Sequence, residues 1–411
     1  MKNFLIIISL LIYTTIVNGT FLAQKEIADR ELDDDTLVRK KRTYWRSHMT
    51  YKWKFPIHYH VQENVGFDKN LIDAAIKVIS DNTCIRFKRV DKKIMKPNPG
   101  INIVIAPLCY ADIGQIDPKK PQEINCTLDC NFIGRVHHEF GHALGLVHET
   151  RRWDSYMYTI IHYEKIIPGS LGYDILSLSE TLDYGIDFDF GSQLQFASNN
   201  FSIDGSDTVN VLDKSYELTI GQNDGFQFSD YKKLNYHYCS HKCSKKTKLK
   251  CYNGGYQSYK NCDECICPPH YTGKHCRQRV RSSRQCGNQV IAIKNRKQSL
   301  LISGKKHCYI YLKANTKYAT RIVLKSANLE SSHGQKYCKH GRGLEIKHRP
   351  DPALMGSMFC GKIDKEYVMY STAKKMSIEY FGKRSRHYAN ILIYRVPKRE
   401  IKRQRRYGSE S

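Results

Sequence analysis

A chain of 411 residues, 41% of them hydrophobic, exceeds what one ordinary core holds and predicts two or three folded units. Its fifteen cysteines, behind an export signal, exclude a reduced cytosolic setting, and the odd number leaves one thiol over. The formal charge of +26 would suit nucleic acid, but export and the lack of an aromatic-interleaved binding motif exclude it. Solvated surface, or attraction to sulfated glycans, matrix and anionic cell surfaces, remains.

Residues 1–19 predict a signal peptide: Met1-Lys2-Asn3 is the basic start, 4–12 the short apolar run, and Asn18-Gly19-Thr20 the small-residue exit. That run is too short to span a bilayer and no later stretch is both long and uncharged, so the expected product is secreted, without a membrane span. Residues 20–42 read as a propeptide. It is acidic at Asp33-Asp34-Asp35 and ends in Arg39-Lys40-Lys41-Arg42, a cationic tetrad of the kind that an anionic convertase cleft binds. Cleavage after Arg42 would make Thr43 the new N-terminus.

The unit 43–240 has an α/β pattern. Alternation predicts strands over 54–61 and 84–90, and 101–105 reads as a buried strand. Residues 68–82 predict a helix capped by Asp68, whose apolar stripe of Leu71, Ile72, Ala75, Ile76 and Ile79 must pack on the sheet. The next unit, 241–277, is too short to bury much apolar surface and must be held by its cysteines. In 286–395, four spaced cysteines lie among short β-like runs at 291–293, 308–312, 321–324 and 391–394, the pattern of a β-sandwich. A basic tail, 396–411, reads as disordered. Asn125 and Asn200 stand in glycosylation sequons, consistent with export.

The chemistry is concentrated in His138-Glu139-Phe140-Gly141-His142-Ala143-Leu144-Gly145-Leu146-Val147-His148. On a helix, His138 and His142 are four apart and share one face, so both imidazoles reach one ion. Gly145 permits a sharp turn that brings in His148. Three neutral nitrogens with an open fourth position make the arrangement of catalytic zinc. Glu139, beside the first ligand, is placed to take a proton from a water on the metal, whose acidity zinc raises to near neutral pH. His137 points off the metal face and is expected on the surface or behind the ligands. The long form of the motif makes coincidence a poor explanation.

The segment resembles the metzincin metallopeptidases, and its continuation Glu149-Thr150-Arg151-Arg152-Trp153-Asp154 resembles the astacin family in particular, over most of 51–239. The resemblance implies an α+β metzincin domain of two half-domains around a zinc cleft. It assigns Glu149 to contact the new N-terminal ammonium, pairs Cys84 with Cys239 and Cys109 with Cys130, and leaves Cys126 unpaired. The downstream order resembles nematode-type astacins, with an EGF-like module at 241–277 and a CUB domain at 286–395. Those modules imply the pairs Cys243 with Cys262, Cys251 with Cys265, Cys267 with Cys276, Cys286 with Cys308, and Cys338 with Cys360. Spacing alone leaves fifteen connectivities open for six cysteines.

Departures from the family pattern matter as much. Where relatives carry Ser-x-Met-His-Tyr beneath the zinc, alignment through Phe188-Asp189-Phe190-Gly191 gives Ser192-Gln193-Leu194-Gln195-Phe196. Leu194 at the Met-turn position nearly conserves volume. Phe196 stands where the family's tyrosine ligates resting zinc and then hydrogen-bonds the developing oxyanion, and it can do neither. The propeptide lacks a Phe-x-Gly-Asp motif that would block the zinc, and Gly341-Arg342-Gly343 offers no aspartate for calcium. The expected activity is a secreted zinc endopeptidase acting on extracellular proteins, with Glu139 as base and then acid. The rival is an attenuated or inactive relative that binds matrix or a receptor through its basic CUB domain.

Overall fold

The computed structural model describes residues 51–401 except 64–65, 129–131, 171, 182, 244–248 and 333. The signal, the propeptide with Arg42 and Thr43, Cys130 and the tail from 402 onward lie outside the described residues. Among the described residues no helix is long and apolar enough to cross a membrane.

The first body is built on a five-stranded sheet of β1 (Ile57–Val61), β2 (Phe87–Arg89), β3 (Gly100–Ile105), β4 (Tyr110–Ala111) and β5 (Pro121–Cys126), in the order β2-β1-β3-β5-β4. Only β4 runs antiparallel to its neighbour. The strands expected at 54–61 and 84–90 are shorter than the alternation suggests. Pro56 offers no N–H to the ladder, so β1 begins after it. Cys84 is committed to a disulfide with Cys239, which closes the domain from its other end.

Helix α1 (Lys69–Asn82) starts where Asp68 accepts hydrogen bonds from the N–H groups of Asn70 and Leu71, at 3.0 and 3.2 Å. It buries Ile72, Ala75, Ile76 and Ile79, whereas Leu71, at the edge of the stripe, is half-buried. Helix α2 (Ile133–Ala143) packs against α1 and carries Val136 and Phe140 into a core with Ile101, Ile103 and Ile124. From 144 to 227 the chain is largely irregular, with short 3-10 turns and one small ribbon, Thr159–Ile161 against Val209–Val211. Helix α3 (Phe228–Tyr238) returns to the first half and ends at Cys239.

Three disulfides hold the short module that follows: Cys243 with Cys262, Cys251 with Cys265, and Cys267 with Cys276. The last body consists of two five-stranded sheets. Alternate residues such as Ile302, Ile310, Leu324, Ile346, Ile378 and Ile391 fill the space between them. Cys286 pairs with Cys308 and Cys338 with Cys360. This sandwich lies directly on the second half of the first body. Met355 N–H donates to Asp189, Met358 N–H to Thr219 Oγ1, Cys338 N–H to Leu218 O, and His348 meets Asp213 at 3.0 Å.

Candidate metal centre

Helix α2 places His138 and His142 one turn apart, and it stops at Leu144 because Gly145 adopts φ +100°, a conformation that β-carbon sterics deny most residues. The reversal carries His148 back to the helix. The three Nε2 atoms converge, with His138 to His148 at 3.1 Å, His138 to His142 at 3.2 Å and His142 to His148 at 3.0 Å. Two backbone carbonyls fix the rings: His138 Nδ1 donates to Gln193 O at 3.0 Å and His142 Nδ1 to Leu146 O at 2.9 Å. Those bonds put the proton on Nδ1 and leave Nε2 as a lone pair. Burial pushes the imidazoles down, His138 to about 4 and His142 to about 3, so both are neutral at physiological pH. Convergent lone pairs repel unless a cation lies between them, and three neutral imidazoles suit zinc.

Glu139 is 3% exposed, its Oε2 has no hydrogen-bond partner among the described residues, and burial pushes its carboxyl up to about 8. A dication at the three nitrogens would draw that value back down by attraction. His137 is not on the surface. It is 1% exposed, and its Nε2 meets Ala75 O on α1 at 2.9 Å while its Nδ1 accepts from Phe226 N–H at 3.0 Å. It ties α1, α2 and the approach to α3 together behind the ligands. Cys126 is buried with a free thiol, which burial pushes up to about 12.

The floor of the site is apolar. Gly141 lies between His138 and His142, and a β-carbon there would stand 3.2 Å from Leu194 and 3.0 Å from Phe226. Leu194 is 1% exposed, and its carbonyl accepts from Glu149 N–H at 3.1 Å, linking the floor to the third-ligand turn. Phe196 rests on the His148 ring with centroids 4.1 Å apart and is flanked by Tyr173 and Phe201. A β-carbon on Gly172 would lie 2.6 Å from His148 Nδ1 and 2.8 Å from Phe196 Cζ, so glycine is needed for this approach.

Glu149 is 1% exposed. Its described partners are the Lys233 ammonium, the Asp189 N–H at 3.2 Å and the Arg152 guanidinium at 3.7 Å. Arg152 in turn grips Asp154 with two bonds of 2.8 and 2.9 Å. Thr43 lies outside the described residues. Lys233 was not legible in the sequence as a partner of Glu149, because it is one of two adjacent lysines on α3 and separated from Glu149 by 84 residues. The carbonyls of Gln193 and Leu146 were equally silent, since any residue offers one.

Cys109 is disulfide-bonded, and Cys130 is outside the described residues. Asn125 lies within β5 and Asn200 in an irregular stretch where its carbonyl accepts from Tyr173 Oη at 2.6 Å.

Residues 45–239 match the peptidase family Astacin. Among similar proteins, the zinc metalloproteinase nas-34 of Caenorhabditis elegans is 30% identical over 327 residues, covering 79% of this chain and 52% of that protein. The zinc metalloproteinase nas-36 of the same organism is 35% identical over 277 residues, covering 66% and 44%. The chain thus spans about half the length of these relatives. Among solved structures, high choriolytic enzyme 1, a hatching-enzyme zinc protease from Oryzias latipes, aligns with a TM-score of 0.40 at 26% identity, covering 48% of this chain and 94% of that one.

Proposed function

Taking residues 45–239 as an astacin domain, we propose that the chain is a secreted zinc metalloendopeptidase that hydrolyses peptide bonds of extracellular proteins, with EGF-like (241–277) and CUB (286–395) modules. The observation that carries this reading is the convergence of three neutral imidazole nitrogens, 3.0–3.2 Å apart, beside a buried glutamate. His138, His142 and His148 would hold the metal. Zinc, when bound, supplies a Lewis acid that makes water acidic near neutral pH and polarises a carbonyl. Glu139 takes the proton of the attacking water and passes it to the leaving amine. The carbonyls of Gln193 and Leu146 keep His138 and His142 in the ligating tautomer. Leu194 and Phe226 pack against Gly141 on the helix that carries the first two histidines.

A chain processed after Arg42, assayed for zinc and for peptide cleavage, tests the reading. Glu139→Gln is expected to keep zinc and to lose at least the 10²–10⁴-fold that general acid–base catalysis typically supplies. His142→Ala is expected to lose metal and activity together. Loss of zinc in the glutamine variant would overturn the role given to Glu139. A processed chain that holds zinc yet cleaves no peptide would favour the binding-module rival, which Phe196 supports.

A further inference from the structure

Two strands of the sandwich, Gly343–Lys347 and Lys375–Gly382, run antiparallel, and their register sets Glu345 directly opposite Glu379. Like charges at such a pair repel, and here both carboxylates are buried, at 2% and 8% exposure. A third group completes the cluster from another part of the chain. His270, from the disulfide-held module, is 1% exposed, and its Nε2 lies 3.0 Å from Glu379 Oε2 and 3.2 Å from Glu345 Oε2. His270 adopts φ +77°, a region that a residue with a β-carbon occupies at a cost and that would suit glycine.

Each group is anchored by its other atom. Glu345 Oε1 accepts from Gly356 N–H at 2.6 Å and meets Lys347 Nζ at 3.1 Å, Glu379 Oε1 meets His307 Nε2 at 2.6 Å, and His270 Nδ1 meets Ser377 Oγ at 2.7 Å. A neutral ring that donates from Nδ1 to Ser377 turns an Nε2 lone pair toward two carboxylate oxygens, and Glu345 Oε2 has that nitrogen, at 3.2 Å, as its described polar neighbour. The three atoms require a positive charge among them, either a proton on His270, which the two carboxylates favour against the cost of burial, or a metal ion. A single N–H can point well at only one of the two oxygens, whereas a dication engages all three. The two nitrogen–oxygen separations match those within the histidine triad, and oriented ligands with hydrogen-bonded far atoms are characteristic of metal sites.

We propose that His270, Glu345 and Glu379 form a second divalent-metal site, of a donor set suited to zinc, that clamps the disulfide-held module to the sandwich. The site shares no residue with the peptidase centre. The test counts zinc in the full chain by plasma mass spectrometry after zinc loading and dialysis. The unsubstituted chain is expected to hold two equivalents, His142→Ala one, and His270→Gly one with peptide cleavage retained, glycine being chosen for its tolerance of φ +77°. Glu345→Gln, nearly isosteric, serves if His270→Gly does not fold. A single equivalent in the unsubstituted chain that disappears with His142→Ala overturns the proposal and leaves a proton on His270 as the cation. A single equivalent lost with His270→Gly instead would keep this site and overturn the peptidase one.

Discussion

At the scale of single residues, Phe196 sets the sharpest expectation. Its ring lies on His148, but its Cζ faces Gly172, so a hydroxyl added there must displace the ring before it can donate toward a developing oxyanion. Loss of one such donor elsewhere costs 10²–10³ in turnover, and the pinned ring should recover only part of that. Phe196→Tyr is therefore expected to raise kcat about tenfold with little change in KM, because the new bond forms chiefly in the transition state. Equal rates in two zinc-loaded proteins would show that another donor serves the cleft. A second expectation concerns Lys233. Replacing it by methionine removes the nearest charge from Glu149, whose carboxylate is almost fully buried. Breaking a buried pair costs about 3–5 kcal/mol, and Arg152, still 3.7 Å away, keeps the loss near the lower bound. Urea unfolding measures it, and an unchanged midpoint would mean that Arg152 alone suffices.

At the scale of elements, what was legible is what is encoded locally. Helix α1 could be read because its cap and its stripe lie within fifteen consecutive residues, and Asp68→Ala should cost about 1 kcal/mol of stability in a denaturant titration, a neutral result meaning that the helix end is held by packing alone. The metal-binding turn could be read because ligand spacing and Gly145 are both in one short segment. Gly145→Ala forces a β-carbon into φ +100° and is expected to weaken zinc retention against a chelator, since the turn brings His148 to the other two ligands. Beyond that turn, the stretch from 149 to 227 was not legible from local pattern. Its order comes from bonds between distant positions, such as Arg152 Nη1 to Ile186 O at 3.1 Å and Ser192 Oγ to Asp230 at 2.6 Å, and such bonds leave no periodic trace in the sequence. Of the two places expected for His137, the surface and the ground behind the ligands, it takes the second: the helical wheel turns it away from the metal, and away from the metal is toward Ala75 and Phe226.

At the scale of the whole molecule, composition divided the chain into units but said nothing of their docking. The sandwich touches the groups behind the third ligand. Met355 N–H donates to both Asp189 carboxylate oxygens at 3.2 and 3.3 Å, and the Asp189 N–H donates to Glu149, the residue after His148. Gly191 sits at the contact. A β-carbon there would stand 2.5 Å from Met355 Cβ and 2.7 Å from its Cγ, with the sulfur in collision as well. Gly191→Ala should therefore push the sandwich off, at about the 1–3 kcal/mol typical of overpacking. Peptidase rate and thermal stability are expected to fall together while zinc remains, because the three imidazoles are not touched. The three nearest atoms all belong to the Met355 side chain, so Gly191→Ala combined with Met355→Gly should recover part of both losses, the rest being the cost of the emptied Met355 site. Recovery of stability without recovery of rate would show that the sandwich supports the fold but not the site, and a rate untouched by Gly191→Ala would show that the peptidase domain holds Glu149 and His148 in place unaided.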